Sequence, residues 1–321
     1  MTRHRLQAES QTHKFEMTAQ RILWFGFAVL AFLLLDAVDL TIWAILVTAS
    51  GLVLALILSS TGPRWHASVD GRDLFAVIVL YAAVVALFRL AFVAITTDNE
   101  WGLFLAFAGG LVIGVVGPII YQVWLRGRDL ESLGIGLHRL PETMVVGLIF
   151  GFAQFSMTMW GYRLPEAEAW VPVLVMSLVV GFFEAVFFRG FIQNRLEASF
   201  GTGAGVAGAA VLYSLYHVGY GMGFEEMWFL LGLGVVYAVV FRLVGNVLVL
   251  WPLLTPLGAF FNNLEAGEIE LPWASIAGFA DVGMIMAAAV WVAHRRIRKR
   301  RTPIARTPRH EPVELVDAGT P

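Results

Sequence analysis

The stretch Gly181-Phe182-Phe183-Glu184-Ala185-Val186-Phe187-Phe188-Arg189-Gly190 sets one glutamate and one arginine inside a run that is otherwise apolar and aromatic. It belongs to a longer apolar segment, 169–192, long enough to cross a bilayer core, which takes ~20 residues. A carboxylate at that depth is costly, so it is rarely there without a partner or a task. The next apolar segment carries Tyr213-Ser214-Leu215-Tyr216-His217. Together the two segments point to a polar site built between membrane helices.

The rest of the chain supports a lipid setting. Hydrophobic residues make up 58% and charged residues 14% of the 321 residues, and the mean hydropathy is +0.74. A water-soluble domain of this size has too little interior for so much apolar surface. The formal charge of −2 decides little, because the charges are sorted by position. There is no cysteine, which removes disulfides, thiol catalysis and cysteine metal ligands. The first nineteen residues are polar and no small-residue cleavage pattern follows the first apolar run, so that run is expected to stay as a membrane helix.

By length and apolarity, the expected spans are 20–36, 40–60, 73–96, 101–125, 142–162, 169–192, 203–219, 227–243, 246–263 and 273–294. With the N-terminus cytoplasmic, the inner segments hold Arg64, Arg72, Arg126, Arg128, Arg139 and Arg195, then the basic run from Arg295 to Arg301. The outer segments hold Asp36, Asp39, Asp98, Glu100, Glu166, Glu168, Glu225, Glu226, Glu265, Glu268 and Glu270, with Arg163 the one basic exception. Positive residues stay inside, so the expected fold is an all-α polytopic bundle of about ten transmembrane helices with both termini cytoplasmic, as in a prokaryotic cell membrane. It divides into a cytoplasmic segment 1–19, N-terminal helices 20–125, a core 126–294 and a basic, disordered tail 295–321. The basic start of that tail reads first as a topology determinant and second as a contact for anionic lipid.

On an α-helix Ala185 and Arg189 stand four apart and share a face, whereas Glu184 and Arg189 stand five apart and diverge. The spacing predicts no local ion pair between Glu184 and Arg189, and Arg189 reads as a helix-end residue reaching for the cytoplasmic surface. Arg89 and Arg242 are then the candidate partners for Glu184, unless Arg89 pairs with Asp281. Glu184 in apolar surroundings suits general acid or base work. His217 has Tyr213 four residues before it and Tyr220 three after, so all three can line one wall of a pocket. A neutral histidine beside a carboxylate can orient a water as a nucleophile. Farther on, the segment from Trp251-Pro252 to Asn262-Asn263 reads as a proline-kinked helix whose final amides either donate to an oxyanion or cap the helix. No His-Glu-x-x-His is present and one histidine alone is within reach of the core, so no metal or other cofactor is expected. Nor is there a nucleotide-binding loop or any sign of a nucleic-acid partner.

These motifs resemble the CPBP family, the CAAX-protease and bacteriocin-processing membrane proteins related to eukaryotic CAAX prenyl endopeptidases. The resemblance rests on Glu184-x-x-x-x-Arg189-Gly190, on Tyr213-x-x-x-His217 and on the Trp251-Pro252 helix ending in asparagine. The lead-in from Arg126 to Leu137 adds to it, for a total of roughly 125–264. It implies an intramembrane endopeptidase in which Glu184 and His217 activate water and Asn262 or Asn263 steadies the oxyanion. Arg189 and Tyr213 would support them, and the substrate would be a membrane-associated peptide or protein. The family's paired glutamates become Glu184 and Ala185 here. Its third-motif histidine falls on Gly258 or Ala259. A catalytically inactive relative, acting as a membrane scaffold or immunity-type protein, is therefore the alternative. A transporter, suggested by Arg89, Glu184 and Asp281 within helices, ranks last because no inverted repeat is visible.

One tension remains at this level. At ~1.5 Å per residue, Glu184 lies ~22 Å below the outer surface and His217 ~21 Å above the inner one, so in a ~30 Å core their depths do not meet. They meet only if the polar run Phe191–Glu197 extends the first helix inward.

Overall fold

The computed structural model describes residues 68–137, 166–251 and 271–301, together with 140–141, 143–145, 147–148 and 152. Among these residues every regular element is helical and none is a strand. Helix α1, Gly71–Arg89, is capped by Asp70, whose carboxylate accepts from the backbone N–H of Arg72 and Asp73. That satisfies donors the first turn leaves open. It continues as a π-helical turn, Leu90–Ile95. Helix α2, Glu100–Ile119, begins under an Asn99 cap and ends in a second π-helical turn, Ile120–Leu125. Helix α3, Ala167–Glu184, passes without interruption into the π-helix Ala185–Gln193 and then into α4, Asn194–Phe200. After Gly201 comes α5, Thr202–Tyr216, closed by a 3-10 turn, His217–Tyr220. Helices α6, Phe224–Val244, α7, Val247–Leu250, and α8, Ser275–Arg301, complete the described chain.

Among the described residues, five stretches are long and apolar enough to cross a membrane: Gly71–Ile95, Glu100–Leu125, Glu168–Phe200, Met227–Val244 and Ser275–Arg301. They coincide with five of the expected spans. The spans 20–36 and 40–60 lie outside the described residues, as do most of 142–162 and of 246–263. The remaining one, 203–219, is the 15-residue α5 plus its closing turn. The outer face is apolar: Phe75, Ile78, Trp101, Leu105, Trp228 and Met284 are all exposed. Water would disfavour such a surface, whereas acyl chains suit it. The chain is an integral membrane protein.

Charged groups gather where α1 begins and α2 ends. Buried Asp73 meets Arg126 at 3.3 Å, Arg128 at 2.9 Å and Arg195 at 3.3 Å, and accepts from the Tyr121 hydroxyl at 2.7 Å. This cluster ties α1, the end of α2 and α4 together. Beyond it, the core is aromatic and centred on Phe88, whose ring lies 5.2 Å from Phe107, 5.7 Å from Phe183 and 6.0 Å from Tyr216. Gly110 and Gly114, one turn apart on α2, leave the space that the Phe88 and Phe183 rings fill.

Candidate functional site

Glu184 ends α3 and His217 opens the turn after α5, and the chain between them is a helical hairpin. Its apex is Gly201, at φ 89° and ψ 166°, a region open to almost no residue but glycine. Glu184 and His217 stand nearly equally far from that apex, one before it and one after, so they reach the same level. The depth mismatch expected from separate spans disappears because the helix continues through the polar run, giving one stretch Glu168–Phe200. Each polar side chain in that extension finds a partner on another element. Gln193 donates to the Ala238 carbonyl at 2.8 Å, Arg195 pairs with Asp73, and Glu197 pairs with Arg242 at 3.2 Å.

At the shared level, Glu184 is buried and both its oxygens accept from tyrosines. The Tyr216 hydroxyl donates to Oε1, and the Tyr213 hydroxyl reaches Oε2 at 3.5 Å. His217, also buried, places Nδ1 2.9 Å from the Tyr213 carbonyl oxygen. A carbonyl only accepts, so Nδ1 carries the proton and Nε2 keeps a lone pair in the neutral ring. The His217 ring lies 4.1 Å from that of Tyr216 and 5.2 Å from that of Tyr213. Glu184 and His217 therefore bear on the same two tyrosines. Tyr220 closes the cluster 5.6 Å from the His217 ring.

Arg189 departs from the sequence-based expectation in two ways. It is fully buried, because the helix runs on to Phe200 and Arg189 is not at its end. The wider turn of the π-helix Ala185–Gln193 also swings position 189 nearer to the face of Glu184 than an α-helix would. The guanidinium lies 5.0 Å from the Tyr213 ring centroid. Among the described residues, its three nitrogens have no hydrogen-bond partner and it forms no direct ion pair with Glu184. The other expected partners of Glu184 are engaged elsewhere, Arg242 with Glu197 and Arg89 with the Val218 carbonyl at 3.1 Å. Among the described residues no ion pair joins Arg89 to Asp281.

Gly190 has its own reason to follow Arg189. A Cβ there would collide with the Leu133 carbonyl oxygen, so the helix packs directly on the turn Leu130–Leu133. Asn262 and Asn263 lie outside the described residues. Trp251, which opens their motif, is seated on α3, where its indole donates to the Leu178 carbonyl at 2.6 Å and stands 5.7 Å from Phe182. Sequence reading missed Tyr216. The signal for it was present, since Tyr213 and Tyr216 are three apart on one helix face. Among the described residues, no three His, Asp or Glu side chains come together as a metal site.

Residues 166–253 match the family model described as Type II CAAX prenyl endopeptidase Rce1-like. The match runs from the start of α3 past Trp251 and holds Glu184, Arg189, Tyr213, Tyr216 and His217. Over those residues the chain is similar to that family, in agreement with the resemblance drawn from its motifs. Comparison with curated proteins and with solved structures gives no match.

Proposed function

We propose that this Rce1-like chain is an intramembrane endopeptidase in which Glu184 takes a proton from water and His217 orients that water. One observation carries the reading: the segment matched to an endopeptidase family folds a buried glutamate and a histidine onto the same pair of tyrosines. A water that gives one hydrogen to His217 Nε2 and the other to Glu184 keeps its lone pairs for attack. Its oxygen then bonds to the scissile carbonyl carbon as its proton passes to Glu184. The C–N bond breaks as Glu184 returns that proton to the departing amine. Asn262 or Asn263 supplies the oxyanion donor, while Tyr213 and Tyr216 hold the carboxyl group in place. The substrate is a membrane-associated peptide or protein.

The test is cleavage of a broad library of membrane-anchored peptides by the full chain in proteoliposomes. Wild type should release product, and Glu184→Gln, which keeps the shape but not the base, should be slower by about 10²–10⁴-fold. Equal rates for the two proteins would sink the proposal, as would no cleavage by wild type of any peptide. A silent relative is favoured by one observation, the Gly258 or Ala259 that stands where the family's third motif has histidine. Under that reading, Glu184→Gln leaves the cellular role intact.

A further inference from the structure

The far end of α8 holds a second polar site, distant from Glu184 and unused by the proposed chemistry. Two rows of side chains spaced by four run down one face of this helix: Trp291, Arg295 and Lys299, and beside them Val292, Arg296 and Arg300. They line, with Trp124 from the end of α2, an open groove of about 590 Å³. That is within the ~300–1,000 Å³ typical of ligand pockets. Its lining contains four cations and no carboxylate.

The two tryptophans organise the cations. Arg295 lies over the Trp291 ring at 4.2 Å and Arg296 over the Trp124 ring at 5.3 Å. Stacking of this kind fixes a guanidinium plane while leaving its edge N–H groups to face a ligand. Arg300 is anchored by donation to the Val123 carbonyl at 3.0 Å. The nearby carboxylate, Asp129, is taken by Arg301 and does not neutralise the pocket.

Position decides the ligand. Trp124 is followed at once by Leu125, 72% exposed, and then by Arg126, so the pocket lies where the apolar belt gives way to charge. Trp291 and Val292 are themselves exposed apolar side chains in the lining. Tryptophan at such a level marks the headgroup region of a bilayer. A ligand held here meets planar guanidinium donors at one end and acyl-facing apolar surface at the other.

We propose that this pocket binds the phosphodiester headgroup of an anionic phospholipid, with Arg295, Arg296, Lys299 and Arg300 as donors and the acyl chains lying along Trp291 and Val292. Arginine forks suit phosphate oxygens, and four cations with no carboxylate among the described residues of the lining select an anionic headgroup over a zwitterionic one.

The test is native mass spectrometry of the full chain in detergent with equimolar phosphatidylglycerol and phosphatidylcholine. Wild type should retain phosphatidylglycerol with at least about tenfold preference. Arg296→Gln should bring that preference close to parity. Arg72→Gln, which removes one exposed charge from outside the pocket, should leave it unchanged. Equal effects of the two substitutions would overturn the proposal in favour of diffuse surface charge. Displacement of the lipid by millimolar inorganic phosphate would overturn it in favour of a small-anion site. Retention of phosphatidylcholine at parity by wild type would also overturn it.

Discussion

Replacing Tyr216 with phenylalanine deletes one oxygen at a fully buried position and nothing else. In the structure that oxygen donates to Glu184 Oε1, while the other donor, Tyr213, reaches Oε2 at 3.5 Å, the limit of a useful hydrogen bond. Tyr216 therefore carries most of the restraint on the carboxyl group. A hydrogen bond to a charged group is worth about 1.5–3 kcal/mol in water-soluble proteins, and interhelical ones in membranes reach at most about 1.7 kcal/mol. The two ranges overlap near about 1.5 kcal/mol, roughly a tenfold shift in the unfolding constant. The assay is reversible unfolding in mixed micelles for wild type, Tyr216→Phe, Glu184→Ala and the double variant. The pair should show a coupling of about 1.5 kcal/mol, whereas Tyr213→Phe should couple to Glu184→Ala far more weakly. Additivity of Tyr216→Phe and Glu184→Ala within about 0.3–0.5 kcal/mol would refute the geometry.

The same scaffold yields three further expectations. Gly201→Ala puts a side chain on a backbone at φ 89° and ψ 166°, so it should cost about 1–3 kcal/mol. Thermal unfolding in detergent would show no shift if the hairpin apex were placed wrongly. Asp73→Asn leaves Arg195 buried without its carboxylate and should cost about 3 kcal/mol, at the low end for a broken buried pair because Arg126 and Arg128 are partly exposed. An unchanged denaturation midpoint would count against the cluster. Gly190→Ala drives a methyl group into the Leu133 carbonyl and should cost about 2 kcal/mol by overpacking; stability equal to wild type in the same assay would mean the helix does not rest on that turn.

The lipid setting and the all-helical architecture were legible in the sequence because hydrocarbon leaves the backbone few alternatives. Glu184 and His217 stood out in the sequence too, from the rarity of such groups among apolar neighbours, and the structure buries both. The geometry that joins them was not. Phe191 to Glu197 reads as the polar end of a span, and the helix continues through it only because Ala238, Asp73 and Arg242 arrive from elsewhere in the chain to meet its side chains. No local pattern records that.

The relation of Glu184 to Arg189 failed for a different reason. Reading faces at 3.6 residues per turn assumes an α-helix, and nine residues, Ala185–Gln193, wind as a π-helix instead. Widening the turn changed which positions share a face, so the α-helical spacing rule does not apply between Glu184 and Arg189. Tyr216 was passed over because it is next to His217 in sequence, although its real neighbours are Glu184, Phe88 and Phe188 across helices. The basic run at the end of α8 reads in sequence as topology first and lipid contact second, since the aromatic partner that turns it into a pocket, Trp124, lies on another helix.

The central claim is that Glu184 and His217 act on one water. The most direct measurement is the single-turnover cleavage rate of one membrane-anchored peptide by wild type, Glu184→Gln, His217→Gln and the double variant in matched proteoliposomes. Groups that work as a unit are strongly non-additive. Each single change should therefore cost nearly as much as both together. Losses that multiply independently, or a His217→Gln rate equal to wild type, would contradict the account.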